Sequence, residues 1–171
     1  MTPELLSPAG GFDAALAAFQ YGADAVYLGA RGFNARRNAE NFEASSLSDV
    51  VSYCHARDVK VYITLNTLVT DREIPELLGA IEQIAQSGAD AVIVQDLATA
   101  ALVRKHCPTL PFCASTQMSV HNLAGVRKLA ELGFSRAILA RELSNEEIEY
   151  IAQRAPIEVE CFVHGALCVS L

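Results

Sequence analysis

The chain has 171 residues, of which 51% are apolar and 19% charged, with a net charge of −7. That composition suffices for one folded domain and excludes intrinsic disorder, and no apolar run approaches the roughly 20 residues that span a bilayer, so no membrane partner is expected. The acidic balance argues against nonspecific phosphate binding by the chain as a whole, while leaving room for a local basic site.

Met1-Thr2-Pro3-Glu4 offers neither a basic n-region nor an apolar h-region, so a cytoplasmic protein is expected. From there β-rich runs alternate with helical periodicity. Strands are predicted at 4–7, 25–29, 61–66, 91–95, 111–115, 137–140 and 157–163. Helices are predicted at 13–21, 48–57, 74–86, 98–106, 123–132 and 145–154. Gly22, Gly88 and Gly133 each close a helix before a strand, as left-handed C-terminal residues do. Two junctions nearly repeat, Gly22-Ala23-Asp24-Ala25-Val26 and Gly88-Ala89-Asp90-Ala91-Val92. Ser144 with Glu147 reads as a capping box before the sixth helix, and Ser46 with Asp49 as one before the second.

Strict alternation predicts parallel β/α units in a single domain, residues 1–171. Continuous apolar strands such as Ala91-Val92-Ile93-Val94 need cover on both faces. Ser7-Pro8-Ala9-Gly10-Gly11 is only a loose relative of the glycine-rich loop of doubly wound sheets, which favours a TIM-like (β/α) barrel. Seven strands and six helices leave that barrel incomplete. Its two open edges invite homo-oligomers or edge-to-edge association. The chain is therefore expected to be the front of a larger enzyme, cut inside its last motif.

The five cysteines, Cys54, Cys107, Cys113, Cys161 and Cys168, form no CxxC pair and no disulfide ladder. Cys161 alternates with Ile157, Val159 and Val163 and reads as an inert apolar residue. Cys168 stands beyond the strand in a small-residue loop, where thiolate chemistry or metal ligation is open to it. HExxH, GxSxG and P-loop patterns are missing from the sequence.

In parallel β/α folds reactive groups gather at the carboxyl ends of strands. Those ends carry Ser7, the 31–41 loop, Asn66, Gln95 with Asp96, Ser115 with Gln117, Arg141 with Glu142, and His164. Each has a plainer reading. Arg141-Glu142 equally makes a rim salt bridge, Asn66 and Gln95 equally bond loop backbone, and Ser115 and Gln117 equally serve the next helix start. The 31–41 loop holds Asn34, Arg36 and Arg37 beside Phe33, a composition suited to a phosphate, a carboxylate or a nucleobase. On the last strand Glu158, Glu160, Phe162 and His164 share a face. His164 there can be a base, a ligand or a scaffold.

Several pieces together resemble the collagenase-like peptidase family of unassigned catalytic type, peptidase family U32. They are Glu4-Leu5-Leu6-Ser7-Pro8-Ala9-Gly10, Gly22-Ala23-Asp24-Ala25-Val26-Tyr27, Phe33-Asn34-Ala35-Arg36, Leu65-Asn66-Thr67, Ser115-Thr116-Gln117, Arg141-Glu142-Leu143-Ser144 and Phe162-Val163-His164-Gly165-Ala166-Leu167-Cys168. Within the family, the Asn-Ala-Arg-Arg-Asn loop and the Gln95-Asp96 turn most resemble the branch that hydroxylates a cytidine of large-subunit ribosomal RNA. The resemblance implies a barrel domain, ribosomal RNA as partner, prephenate as co-substrate, and an iron–sulfur cluster held by four cysteines. Cys168 matches one of those ligands. The family continues after Ser170 with a loop ending in Gly-x-Cys, where this chain has Leu171. On this reading His164, Glu160 and Arg141 carry the chemistry. Ser7, Asn34, Arg36, Arg37, Asn66, Gln95, Ser115 and Gln117 surround the substrate. Rival expectations are a collagenase-like peptidase and a noncatalytic accessory protein of a quinone hydroxylation pathway.

Overall fold

The structure, a computed structural model, describes residues 2–29, 32–35 and 44–165. Arg31, Arg36, Arg37 and Cys168 lie outside the described residues. The chain divides into two compact units, Met1–Pro111 and Phe112–Leu171. The first holds β1 (Leu6–Pro8), α1 (Phe12–Gln20), β2 (Ala25–Gly29), α2 (Ala44–His55), β3 (Lys60–Leu65), α3 (Ile74–Ser87), β4 (Ala91–Val94) and α4 (Leu97–His106). The second holds β5 (Phe112–Ala114), α5 (Leu123–Glu131), β6 (Arg136–Ile138), α6 (Asn145–Ala152) and β7 (Glu158–Glu160). Within each unit strand neighbours follow chain order, and every recorded pairing is parallel. Seven strands alternating with six helices among the described residues make the TIM-like (β/α) repeat, one strand short of eight.

The first unit shows why the sheet has two unlike faces. Register sets Val26 beside Val61, and Ile63 beside both Leu28 and Val92. Side chains alternate along a strand, so these share one face with Leu65 and Val94. All are essentially fully buried, as are Leu47, Val51, Leu77, Ile81 and Ile84 from the helices. Each such residue contributes roughly 1.5–3 kcal/mol of burial. The other face carries Tyr27, Tyr62 and Thr64, with Lys60 at the strand entrance. There Glu4 accepts from Lys60 Nζ at 2.7 Å and from Tyr62 Oη at 2.8 Å.

The repeated Gly-Ala-Asp junctions do a definite job. Gly22 and Gly88 adopt φ of +85° and +83°, and Gly133 +93°, which ends the preceding helix. The aspartate then reaches the neighbouring strand: Asp24 Oδ2 accepts from Leu5 N at 2.8 Å, and Asp90 Oδ2 from Val61 N at 2.7 Å. A carboxylate therefore satisfies a backbone donor at a strand entrance. His55 Nε2 meets the same Asp90 oxygen at 2.8 Å.

The Ser144–Glu147 capping box forms as expected, and the Ser144 N–H and hydroxyl hold the Glu147 carboxyl below its ordinary value. Helix α2 starts at Ala44, which puts Ser46 inside its first turn rather than ahead of it. The last strand is shorter than expected, ending at Glu160 rather than 163. Val163 is 89% exposed, so no buried face extends the pairing there. Cys161 accordingly stands past the strand, half-buried.

Candidate functional site at the strand ends

In the first unit, the segment after β2 turns back onto the end of β3. Gly32 takes φ +110°, a conformation that favours glycine, and Phe33 and Asn34 are buried. Thr64 Oγ1 lies 3.1 Å from Leu28 O and 3.2 Å from Asn34 Oδ1. Ala35 N donates to Asn66 Oδ1 at 3.1 Å. Asn34 and Asn66, both expected to touch substrate, thus bind the loop to the strand. The plainer reading of Asn66 is the one its geometry shows.

Gln95 follows β4 and is half-buried. Its neighbour Asp96 caps α4, accepting from Ala98 N at 2.6 Å and Thr99 N at 3.3 Å, and its other oxygen accepts from Val69 N at 3.3 Å. Ser7 stands apart from the polar groups. Its register partner is Val26, so it belongs to the aliphatic face, opposite Thr64.

In the second unit, Ser115 is buried, and its hydroxyl accepts from Gln117 N at 3.3 Å. It therefore starts the short 3-10 turn Thr116–Met118, and Gln117 is exposed on that turn. Thr116 Oγ1 donates to Leu139 O at 3.2 Å. Arg141 lays its guanidinium over the Phe162 ring, 3.9 Å from the centroid. A Cβ added at Gly165, where φ is +122°, would lie 3.9 Å from Arg141 Nη2. Arg141 and Phe162 thereby brace the turn that carries His164, which is exposed.

Glu160 does not stand alone beneath His164. Arg136 Nη1 reaches Glu160 Oε2 at 3.2 Å, while its Nε and Nη2 reach Glu158 Oε2 at 2.9 and 2.7 Å. This ion-pair cluster escaped sequence reasoning, because it depends on the register that sets Arg136 beside Glu158 and Ile138 beside Glu160.

The described thiols are harder to ionise than a free cysteine. Burial pushes Cys113 up to about 11, against the lowering pull of Arg136. Burial likewise raises Cys54, Cys107 and Cys161. Among the described residues no three potential metal ligands come together, so these side chains supply no cluster site of their own.

Residues 10–171 match the description Peptidase family U32. The chain belongs to that family. A 23S ribosomal RNA 5-hydroxycytidine synthase of Escherichia coli K12 is 40% identical over 169 residues, covering 98% of this chain and 25% of that protein. The tRNA hydroxylation protein P of the same organism is 38% identical over 169 residues, covering 98% and 37%. This U32 chain thus spans between a quarter and two-fifths of the length of these two relatives. Among solved structures, a U32 peptidase superposes with a TM-score of 0.75 at 16% identity, over 94% of this chain and 68% of that one. That likeness shows the fold.

Proposed function

We propose that this U32 chain is the barrel-forming part of an RNA-modifying hydroxylase that makes 5-hydroxycytidine in large-subunit ribosomal RNA. The observation that carries the reading is 40% identity, across 98% of the chain, to a protein named for that reaction. The strand ends suit an RNA substrate: neutral amides and hydroxyls fix the loop that leads into Arg36 and Arg37, which supply charge for a phosphate. Arg141, stacked on Phe162, braces His164. On this reading the protein acts in the cytoplasm.

By the same resemblance, an iron–sulfur cluster ligated in part by Cys168 supplies redox chemistry, with prephenate as co-substrate. A peptidase would need an activated nucleophile. Here burial raises the described cysteines above the ordinary thiol value, and among the described residues none of the recorded hydrogen bonds joins a histidine to a cysteine or serine side chain. These observations favour the RNA reading.

A second reading, hydroxylation of transfer RNA, rests on 38% identity to the tRNA hydroxylation protein. Nucleoside mass spectrometry on a strain lacking the gene separates them. Loss of hydroxycytidine from ribosomal RNA is the expected result. Loss of a hydroxylated nucleoside from transfer RNA alone would favour the second reading, and unchanged nucleosides in both would overturn the two together.

A further inference from the structure

The turn after β2 is held in two ways. Phe33 is 6% exposed and anchors the turn by burial, a non-directional force. Direction comes from hydrogen bonds. Thr64 sits at the carboxyl end of β3 with Gly29 beside it in register. Its hydroxyl faces two acceptors, Leu28 O at 3.1 Å and Asn34 Oδ1 at 3.2 Å, and one proton is shared between them. A single rotor thus ties the Asn34 amide to the β2 backbone. Asn66 adds a second tie at Ala35 N. Thr64 and Asn34 are almost sealed from water, at 6% and 3% exposure, so solvent does not readily replace the bond between them.

We propose that Thr64 is a positioning residue for RNA binding: through Asn34 its hydroxyl sets the orientation in which the Asn34–Ala35 turn meets the substrate. The proposal rests on the RNA reading above. It also separates two roles that stability alone would merge. With the hydroxyl gone, Phe33 and the Asn66 tie still hold the turn, so the fold persists while Asn34 loses the bond that fixes its orientation.

Thr64→Val keeps the branched shape and removes the hydroxyl; Thr64→Ser keeps the hydroxyl. Both go into the full-length protein. Three readouts are taken: thermal midpoint, hydrogen exchange over residues 32–35, and affinity for a fluorescent single-stranded fragment of ribosomal RNA. Thr64→Val is expected to speed exchange and to weaken RNA binding about tenfold, with Thr64→Ser close to wild type in both. Asn34→Ala, which removes the other side of the same bond, provides a second route should Thr64→Val fail to fold. Faster exchange with unchanged affinity in Thr64→Val, alongside a loss of affinity in Arg36→Ala/Arg37→Ala, would overturn the positioning role and leave the RNA reading standing. Unchanged affinity in all of these variants would overturn the reading itself.

Discussion

The two units both place an ion pair at their strand entrances, with the cation more buried in the second, and hold their strand exits in different ways. At the entrances each uses an ion pair: Lys60 with Glu4 in the first, Arg136 with Glu158 in the second, where Arg136 also reaches Glu160 farther along β7. At the exits the first unit uses neutral, buried hydrogen bonds through Thr64, Asn34 and Asn66. The second has such bonds after β5, at Ser115 and Thr116, but after β7 it uses an arginine stacked on a phenylalanine that is 37% exposed. A buried hydrogen bond fixes direction and is costly to leave unmade, whereas a half-exposed stack tolerates motion at little cost. The first unit is therefore expected to hold its loop more firmly than the second holds the His164 turn.

The largest test of this contrast lies at the entrances. The Arg136 side chain is 12% exposed and Glu160 20%, while Lys60 is 55% exposed. Arg136→Met leaves Glu160 without that cation in a largely dry place and is expected to cost about 3 kcal/mol in chemical denaturation. An Arg136→Met loss no larger than that of Lys60→Met would break the contrast.

Next in size is the pH response of the second unit. Cys113 is raised from its ordinary 9.0 to about 11 by burial. A thiol held protonated in the fold leaves stability intact below the unfolded value. Stability then falls as pH rises from about 9 toward 11, because the unfolded chain ionises first. The expected loss over that window is about 2–3 kcal/mol. Cys113→Ala should flatten this part of the curve relative to wild type, and parallel curves would contradict the buried-thiol assignment.

Much of this architecture was legible in the sequence, for reasons that are local. Glycine at 22, 88 and 133 and the Ser144–Glu147 pair act within a few residues of themselves, so spacing reveals them. β2 occupies Ala25–Gly29, the same residues its apolar run implies. What stayed hidden depends on register. Glu160 reads as a strand carboxylate on the face of His164 until β6 brings Arg136 to it, and Ser7 reads as a rim residue until pairing with Val26 turns it to the aliphatic face. Thr64 carries no signal at all in sequence, since a threonine in an apolar strand is ordinary. Ser46 misleads because α2 begins two residues earlier, in Ala44-Ser45, where no apolar period announces it.

Smaller effects sharpen the exit contrast. Phe162→Leu removes the stacking partner of Arg141 and is expected to cost about 0.5–1 kcal/mol, with faster hydrogen exchange around His164. A loss of 2 kcal/mol or more would make that exit as rigid as the first. Lys60→Met is expected to cost no more than about 1 kcal/mol, in keeping with its exposure.

The central claim is that RNA meets this chain at the carboxyl ends of its strands. Ultraviolet crosslinking of the full-length protein to ribosomal RNA, followed by mass spectrometry of the linked peptides, tests it directly. The expected crosslinks fall within residues 33–41 and beside Gln95. Crosslinks confined to the exposed aromatics of α1, Phe12 and Phe19, with none at the strand ends, would contradict it.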